Sequence, residues 1–243
     1  MPDINKDLLT LVNNVERYLM QQRDLFGNII YTEDKRSDRL APASMAARYP
    51  DEPWVKAQTL GELNKQICTC LKCPLGFTRT NFVFGVGNQH SEVVFIGEAP
   101  GADEDAQGEP FVGKAGQLLN KIIEAVGMRR EEVYICNILK CRPPNNRDPQ
   151  PTEMETCSPY LSKQIELLQP KFIICLGRIS AQWLLRTNDS LTTMRGKVHD
   201  YNGAKLIVTY HPAALLRNPH WKRPAWEDMK IFKKLYDEAK TTV

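Results

Sequence analysis

Four short runs constrain what this chain can fold into more than anything else in it: EVVFIG (92–97), EVYICN (132–137), KFIICLG (171–177) and KLIVTY (205–210). Each is apolar through nearly its whole length, without the polar alternation of a strand that keeps one face in water. Each therefore reads as a strand covered on both faces. Between and after them, AGQLLNKIIEAVG, EMETCSPYLSKQIELL, SAQWLLR and WEDMKIFKKLYDEAK repeat their apolar residues at helical spacing and supply the cover. The predicted fold class is α/β: a three-layer α/β/α sandwich around a central, mainly parallel four-stranded sheet.

The chain before this pattern reads differently. Leu8, Leu11, Val12, Val15 and Leu19 recur at helical spacing, predicting one amphipathic helix from about Lys6 to Arg23. The polar, proline-bearing stretch YTEDKRSDRLAPASMAARYPDEP follows and reads as an exposed linker or extended wrap. The expected organisation is an N-terminal helical extension with linker over 1–60 and one domain over 61–243. With 42% hydrophobic and 25% charged residues, the composition is that of an ordinary globular protein. No stretch approaches the roughly 18 apolar residues of a membrane span, and MPDINKDLL lacks the basic-then-apolar layout of a signal peptide. The expectation is a cytoplasmic, monomeric protein without membrane contact. A net charge of +3 leaves nucleic-acid binding to local patches.

Seven cysteines in a reducing compartment point to burial or metal ligation before disulfides. Cys70 and Cys73 form a C-x-x-C pair, and Cys141 and Cys157 bracket the proline- and asparagine-rich RPPNNRDPQPTEMET, a loop that could bring two more thiolates to the first pair. A redox pair is the rival for an isolated C-x-x-C. The second pair favours a four-thiolate site, with zinc and iron-sulfur equally compatible and Cys68 not excluded as a ligand. Cys136 and Cys175 lie inside strand-like runs, where burial is the simpler reading.

Ligands of a parallel sheet collect beyond the C-terminal ends of its strands, and three unusual segments stand there: GEAPGADED, NILKCRPPNN and HPAALLRNP. GEAPG matches neither glycine-rich phosphate-binding pattern, and Glu98, Asp103, Glu104 and Asp105 would repel a phosphate. Phe111, set among a proline and glycines, is either core or a platform for a flat ligand. Asn137 either makes a turn or reads a base edge with one donor and one acceptor. His211, ending the last strand before a proline, is either structural or part of the pocket.

Together GEAPGADEDAQGEPFVGKAGQLL, NILKCRPPNNRDPQPTEMETC, CLKCPLGFTR and HPAALLRNP resemble the iron-sulfur uracil-DNA glycosylases of family 4, within the uracil-DNA glycosylase superfamily, over about Leu63 to Lys234. The resemblance implies one 4Fe-4S cluster on Cys70, Cys73, Cys141 and Cys157, acting as a structural staple, with Cys68 a neighbour. It implies a substrate of uracil-containing DNA, single- or double-stranded, released as free uracil with an abasic site left behind, and a nucleoid-associated place in a prokaryote. Uracil would lie against Glu98, Ala99 and Pro100, stack on Phe111, pair its O4 and N3–H edge with Asn137, and receive a hydrogen bond at O2 from His211. The GEAPGADED turn packed against C5 would exclude thymine. Glu98 is the leading carboxylate for positioning water and opposing a cationic sugar, with Glu104 and Asp105 behind it. In AALLRNP, Leu215 or Leu216 would fill the vacated stack and Arg217 would grip phosphate; a plain surface helix is the alternative.

Two rivals stand beside this reading. A non-catalytic DNA-binding or polymerase-associated adaptor of the same fold would be marked by loss of Glu98, Asn137 or His211, and all three are present. An electron carrier built around the cluster would leave the Phe, Asn and His segments unexplained. The loop PPNNRDPQP has no histidine, which favours ordinary turnover over covalent attachment to the abasic sugar.

Overall fold

The computed structural model describes residues 49–241. The helix expected over Lys6 to Arg23 and most of the linker lie outside the described residues. After a 3-10 turn at Pro53–Lys56 come α1 (Leu60–Ile67), α2 (Leu75–Thr78), β1 (Val86–Gly87), β2 (Val93–Gly97), α3 (Ala102–Gln107) and α4 (Lys114–Ala125). The chain continues through β3 (Tyr134–Asn137), α5 (Pro151–Leu168), β4 (Phe172–Leu176), α6 (Arg178–Leu185) and α7 (Leu191–Met194). It ends with β5 (Val198–Tyr201), β6 (Ala204–Thr209), α8 (Pro212–Arg217), a 3-10 turn at Pro219–Trp221, and α9 (Lys222–Thr241).

The four apolar runs became β2, β3, β4 and β6, all mutually parallel where they pair. Among the described residues the sheet has six strands, not the expected four, in the order β1-β3-β2-β4-β6-β5. The two additions are short antiparallel strands that close the edges. Neither carries the doubly buried signature: β1 is two residues long, and β5, VHDY, alternates between exposed and half-buried positions.

Alternation along the central strands splits the core into two layers. Val94, Ile96, Ile173 and Cys175 face a cluster completed by α1 and α5, whereas Val93, Phe95, Phe172 and Ile174 face one completed by α4 and α9. Because successive side chains in a strand point to opposite faces, a strand apolar at every position feeds both layers. Phe95 is fully buried, and burying a side chain of that size contributes about 1.5–3 kcal/mol. Trp54, Val55 and Leu60 join the α1 side of this core, so the segment just before α1 is packed into it.

The chain leaves β2 toward β3 on one side and β4 toward β6 on the other, which puts the switch in strand order between β2 and β4. That switch opens a crevice beyond the strand ends. Register aligns those ends: Gly97 is paired with Asn137 and Leu176 with Thr209.

Candidate functional site

Backbone hydrogen bonds fix the rim of the crevice. Ile138 N–H donates to Gly97 O at 3.1 Å and Leu139 N–H to Glu98 O at 3.0 Å, tying the exit of β3 to the GEAPG turn. Gly177 N–H donates to Thr209 O at 2.9 Å, doing the same for β4 and β6. At the first junction glycine is required by space: a Cβ on Gly97 would stand 2.2 Å from Asn137 Oδ1 and 2.7 Å from Phe111 Cζ. The amide of Asn137 and the Phe111 ring therefore meet directly over Gly97.

Asn137 is buried, and among the described residues no hydrogen-bond donor reaches its Oδ1. An unpartnered buried oxygen costs about 1–3 kcal/mol, so its retention points to a ligand that supplies the donor. Phe111 is held at φ 56°, a left-handed conformation that strains a bulky residue by about 1–3 kcal/mol. The strain is enforced from behind: Gly116 lets the Phe111 carbonyl approach to where a Cβ would lie 1.8 Å away. Glu104 holds the same turn from the other side, accepting from Gly101 N–H at 3.1 Å, Val112 N–H at 3.0 Å and Gly113 N–H at 3.1 Å. The ring ends 5.5 Å from the imidazole of His211, tilted by 33°.

His211 caps α8, with its Nδ1 accepting from Ala213 N–H at 3.2 Å. That bond assigns the imidazole proton to Nε2, leaving Nε2–H free to donate. Burial, and then the Arg217 charge, press its pKa down to about 4, so the ring is neutral near pH 7. Glu98 moves the opposite way. Burial first, then the negative Asp148, push its carboxyl up to about 7, while Arg178 opposes them.

The structure brings Asn137, Phe111 and His211 together, with Glu98 following Gly97 beside them, and Ala99 and Pro100 in the same turn. Glu104 and Asp105 have other tasks. Glu104 is spent on the Phe111 turn, and Asp105 accepts from Thr80 N–H at 2.9 Å and Asn81 N–H at 3.3 Å. In α8, Leu215 is 2% exposed and packs inward, whereas Leu216 is 44% exposed and Arg217 is exposed. Sequence reasoning missed Asp148 and Arg178. They pair at 3.7 Å beside Glu98, and Arg178 opens α6 directly after β4. For Arg178 the signal available was Gly177-Arg178 directly after the strand run KFIICL, a fourth loop at the same sheet edge.

The cysteines form a second centre. Three donors aim at three sulfurs: Arg79 Nη1–H to Cys141 Sγ at 3.1 Å, Tyr160 O–H to Cys70 Sγ at 3.2 Å, and Lys140 N–H to Cys157 Sγ at 3.4 Å. Burial pushes the thiol of Cys157 up to about 12, and Cys141 and Cys73 also act on it; Cys141 in turn senses Cys73 and Cys70. The four side chains thus surround one region, yet among the described residues no three Cys, His, Asp or Glu close in as ligands of a single ion. Cys68 caps α1 with its thiol turned back toward Lys65 O at 3.7 Å, and Cys136 and Cys175 are fully buried in β3 and β4.

Lys140 links the two centres. Its side chain is fully buried, donating from Nζ to Asn137 O at 2.7 Å and to Gln164 Oε1 at 2.5 Å. Burial pushes its pKa down, and the thiols of Cys136, Cys157 and Cys141 act against that shift.

Comparison with known proteins identifies the family. Residues 84–230 match the model of the uracil DNA glycosylase superfamily. The chain is 45% identical to the type-4 uracil-DNA glycosylase of Archaeoglobus fulgidus, over 76% of this chain and 98% of that one. It is 46% identical to the type-4 uracil-DNA glycosylase of Saccharolobus solfataricus over 73% of this chain and 87% of the relative. The corresponding enzyme of Thermotoga maritima is 43% identical over 68% and 87%.

Proposed function

This chain belongs to the uracil-DNA glycosylase superfamily, in its type-4 branch, and from that premise we propose the following division of labour for uracil excision. It is a DNA-repair hydrolase that cleaves the N-glycosidic bond of deoxyuridine in DNA, releasing uracil and leaving an abasic site. The observation that carries the assignment of the pocket is the unpartnered, buried Oδ1 of Asn137, which meets the edge of the Phe111 ring over Gly97. Uracil offers N3–H to that oxygen, while cytosine offers a bare N3 there and would set two acceptors against each other. Phe111 supplies the stacking face.

Bond cleavage sends the C1′–N1 electron pair to the uracil ring, where charge gathers at O2. The neutral His211 donates from Nε2–H to that oxygen and keeps its proton, an oxyanion role worth about 10²–10³ in rate. The ionised Glu98 opposes the positive sugar and takes a proton from the water that adds to C1′; the uracil anion acquires a proton from solvent on release. Leu216, the exposed leucine, is the wedge for the vacated stack, and Arg217 holds phosphate. The protein works as a monomer on DNA, and no helix among the described residues is long and apolar enough to cross a membrane.

Cys70, Cys73, Cys141 and Cys157 would hold one 4Fe-4S cluster. The type-4 family fits an iron-sulfur centre in preference to zinc, and N–H and O–H donors aimed at sulfur stabilise thiolates in such centres. Hydrolysis calls for no redox step, so the cluster supplies a structural clamp. Incubating the protein with uracil-containing oligonucleotides and quantifying the free base tests the activity. Release of uracil, but not of cytosine or thymine, is expected; no free uracil from either single or double strands refutes the reading.

A further inference from the structure

Beyond the pocket, the residues after the strand β6 build a stack that the excision chemistry does not use. Tyr210, the neighbour of His211, lies against the indole of Trp221 with ring centroids 5.0 Å apart and planes 17° from parallel. Arg195 sits over the Tyr210 ring, its guanidinium carbon 4.1 Å from the centroid. The arginine is itself pinned, Nε–H to Asp228 Oδ2 at 2.7 Å and an Nη2–H to Pro224 O at 2.5 Å. An ion pair to a buried aspartate thus anchors one end of a layered Arg195–Tyr210–Trp221 column. At the other end Trp221 remains 40% exposed.

An indole held nearly parallel to a neighbour and left open is unusual for a surface residue, because exposing it forgoes apolar burial. Its surroundings are cationic. Arg217, Lys222 and Arg223 are exposed within six residues of it, and among the described residues none of them pairs with a carboxylate. An aromatic face beside unpaired cations is the arrangement that holds single-stranded nucleic acid, with bases stacked on the ring and phosphates at the cations.

We propose that Trp221 is a stacking platform for a base flanking the extruded uracil, with Lys222 and Arg223 neutralising the adjoining phosphates. The proposal rests on the excision reading for the identity of the strand, and it goes beyond that reading by assigning a second base site, on the ring stacked against His211's neighbour Tyr210. It makes the enzyme read the strand on which uracil lies, independently of an opposite strand. Since Tyr210 and His211 are consecutive, a base docked on the column also sets the register that delivers the next nucleotide to the pocket.

The test uses the full chain and a single-stranded oligonucleotide carrying 2′-fluorodeoxyuridine, which resists cleavage. A set of partners has the base at each flanking position replaced in turn by an abasic spacer. Trp221→Ala is expected to weaken binding of the complete strand by roughly 5- to 150-fold, and Trp221→Phe by less. With a spacer at one flanking position, wild type and Trp221→Ala should bind alike. Lys222→Ala with Arg223→Ala should lower the slope of log affinity against log salt by about 1.4, two phosphate contacts on a single strand. Equal binding by wild type and Trp221→Ala overturns the platform. So does a loss of the same size on every spacer strand, which would make the indole merely structural. Uracil release by the wild type from a cleavable strand is scored separately: its failure sinks the excision reading, while the spacer series decides the platform from binding alone.

Discussion

The base pocket and the cysteine corner hold their side chains by opposite means. In the pocket, Asn137 and the GEAPG turn sit on paired strand ends, hydrogen-bonded main chain to main chain, and Phe111 is forced into place by Gly116 and Glu104. In the corner, Cys70 and Cys73 precede α2, Cys141 stands at the start of the proline-rich loop after β3 and Cys157 lies inside α5, and the sulfurs are met by side chains of Arg79 and Tyr160. Backbone hydrogen bonds preorganise the first region without a ligand. In the second region Cys141 and Cys157 are buried and Cys70 and Cys73 half-buried, and with the cluster proposed for these thiols that region would depend on what it binds.

The largest expected effect follows from that contrast. Cys157→Ala should strip iron and lower the melting temperature by about 10 °C, since each kcal/mol is worth about 2–4 °C in a chain of this size. Well below the new melting point, excision by the folded protein should stay within about tenfold of wild type. Iron analysis, thermal melts and single-turnover assays on one preparation check this, and abolished excision in a still-folded protein would show that the pocket is not self-supporting. The reverse pattern is expected of His211→Ala: single-turnover excision falls by ~10²–10³ while iron content and DNA affinity hold. Parallel loss of binding and cleavage would place His211 in the DNA contact instead of at uracil O2.

How much of this was legible differs between the regions for physical reasons. Burial on both faces removes polar alternation, so β2, β3, β4 and β6 stood out, whereas β1 and β5 lie at edges and carry no such mark. Glu98, Asn137 and His211 were found because a residue just past a parallel strand must stand at the crevice. Asp148 and Arg178 were not, because Asp148 is carried to Glu98 by the loop after β3 and Arg178 by β4, which both pair with β2, a spatial order that the order along the chain does not give. The carboxylate of Glu104 looked available in sequence; only the folded turn at Phe111 shows that three backbone N–H groups consume it.

A smaller effect separates the two pocket groups by pH. Glu98 titrates at about 7 and His211 at about 4, so between pH 5 and 8 only the carboxylate changes state. Excision should rise about tenfold per pH unit below 7 and level off above it, and Glu98→Gln should remove the inflection along with most of the rate. Stability carries the opposite sign. A raised carboxyl pKa binds its proton more tightly in the folded state, so the wild type loses stability as pH rises from about 4.5 to 7. The glutamine variant should therefore gain in melting temperature relative to wild type across that window and keep a constant lead above it. A wild-type profile flat through pH 7 would detach Glu98 from the chemical step.

The smallest effect is the most exacting for the contrast, because Lys140 belongs to both regions. Its Nζ holds Asn137 O in the pocket, and thiols that include Cys141 and Cys157 in the corner oppose the burial that pushes its pKa down. Lys140→Met keeps the bulk but leaves Asn137 O and Gln164 Oε1 without that donor, at a cost of about 1–3 kcal/mol or roughly 2–12 °C of melting temperature. An anionic cluster also loses a buried countercharge, so iron should dissociate faster on chelator challenge. In the pocket, a less firmly held Asn137 should raise the substrate concentration for half-maximal single-turnover excision a few-fold while the maximal rate changes little, since His211 and Glu98 are untouched. Faster iron loss with unaltered uracil recognition would leave the two regions independent, with the lysine serving the corner alone. Weakened recognition at full iron retention would make it a pocket residue. Both changes together are what a cation shared between a preorganised site and a ligand-dependent one must produce.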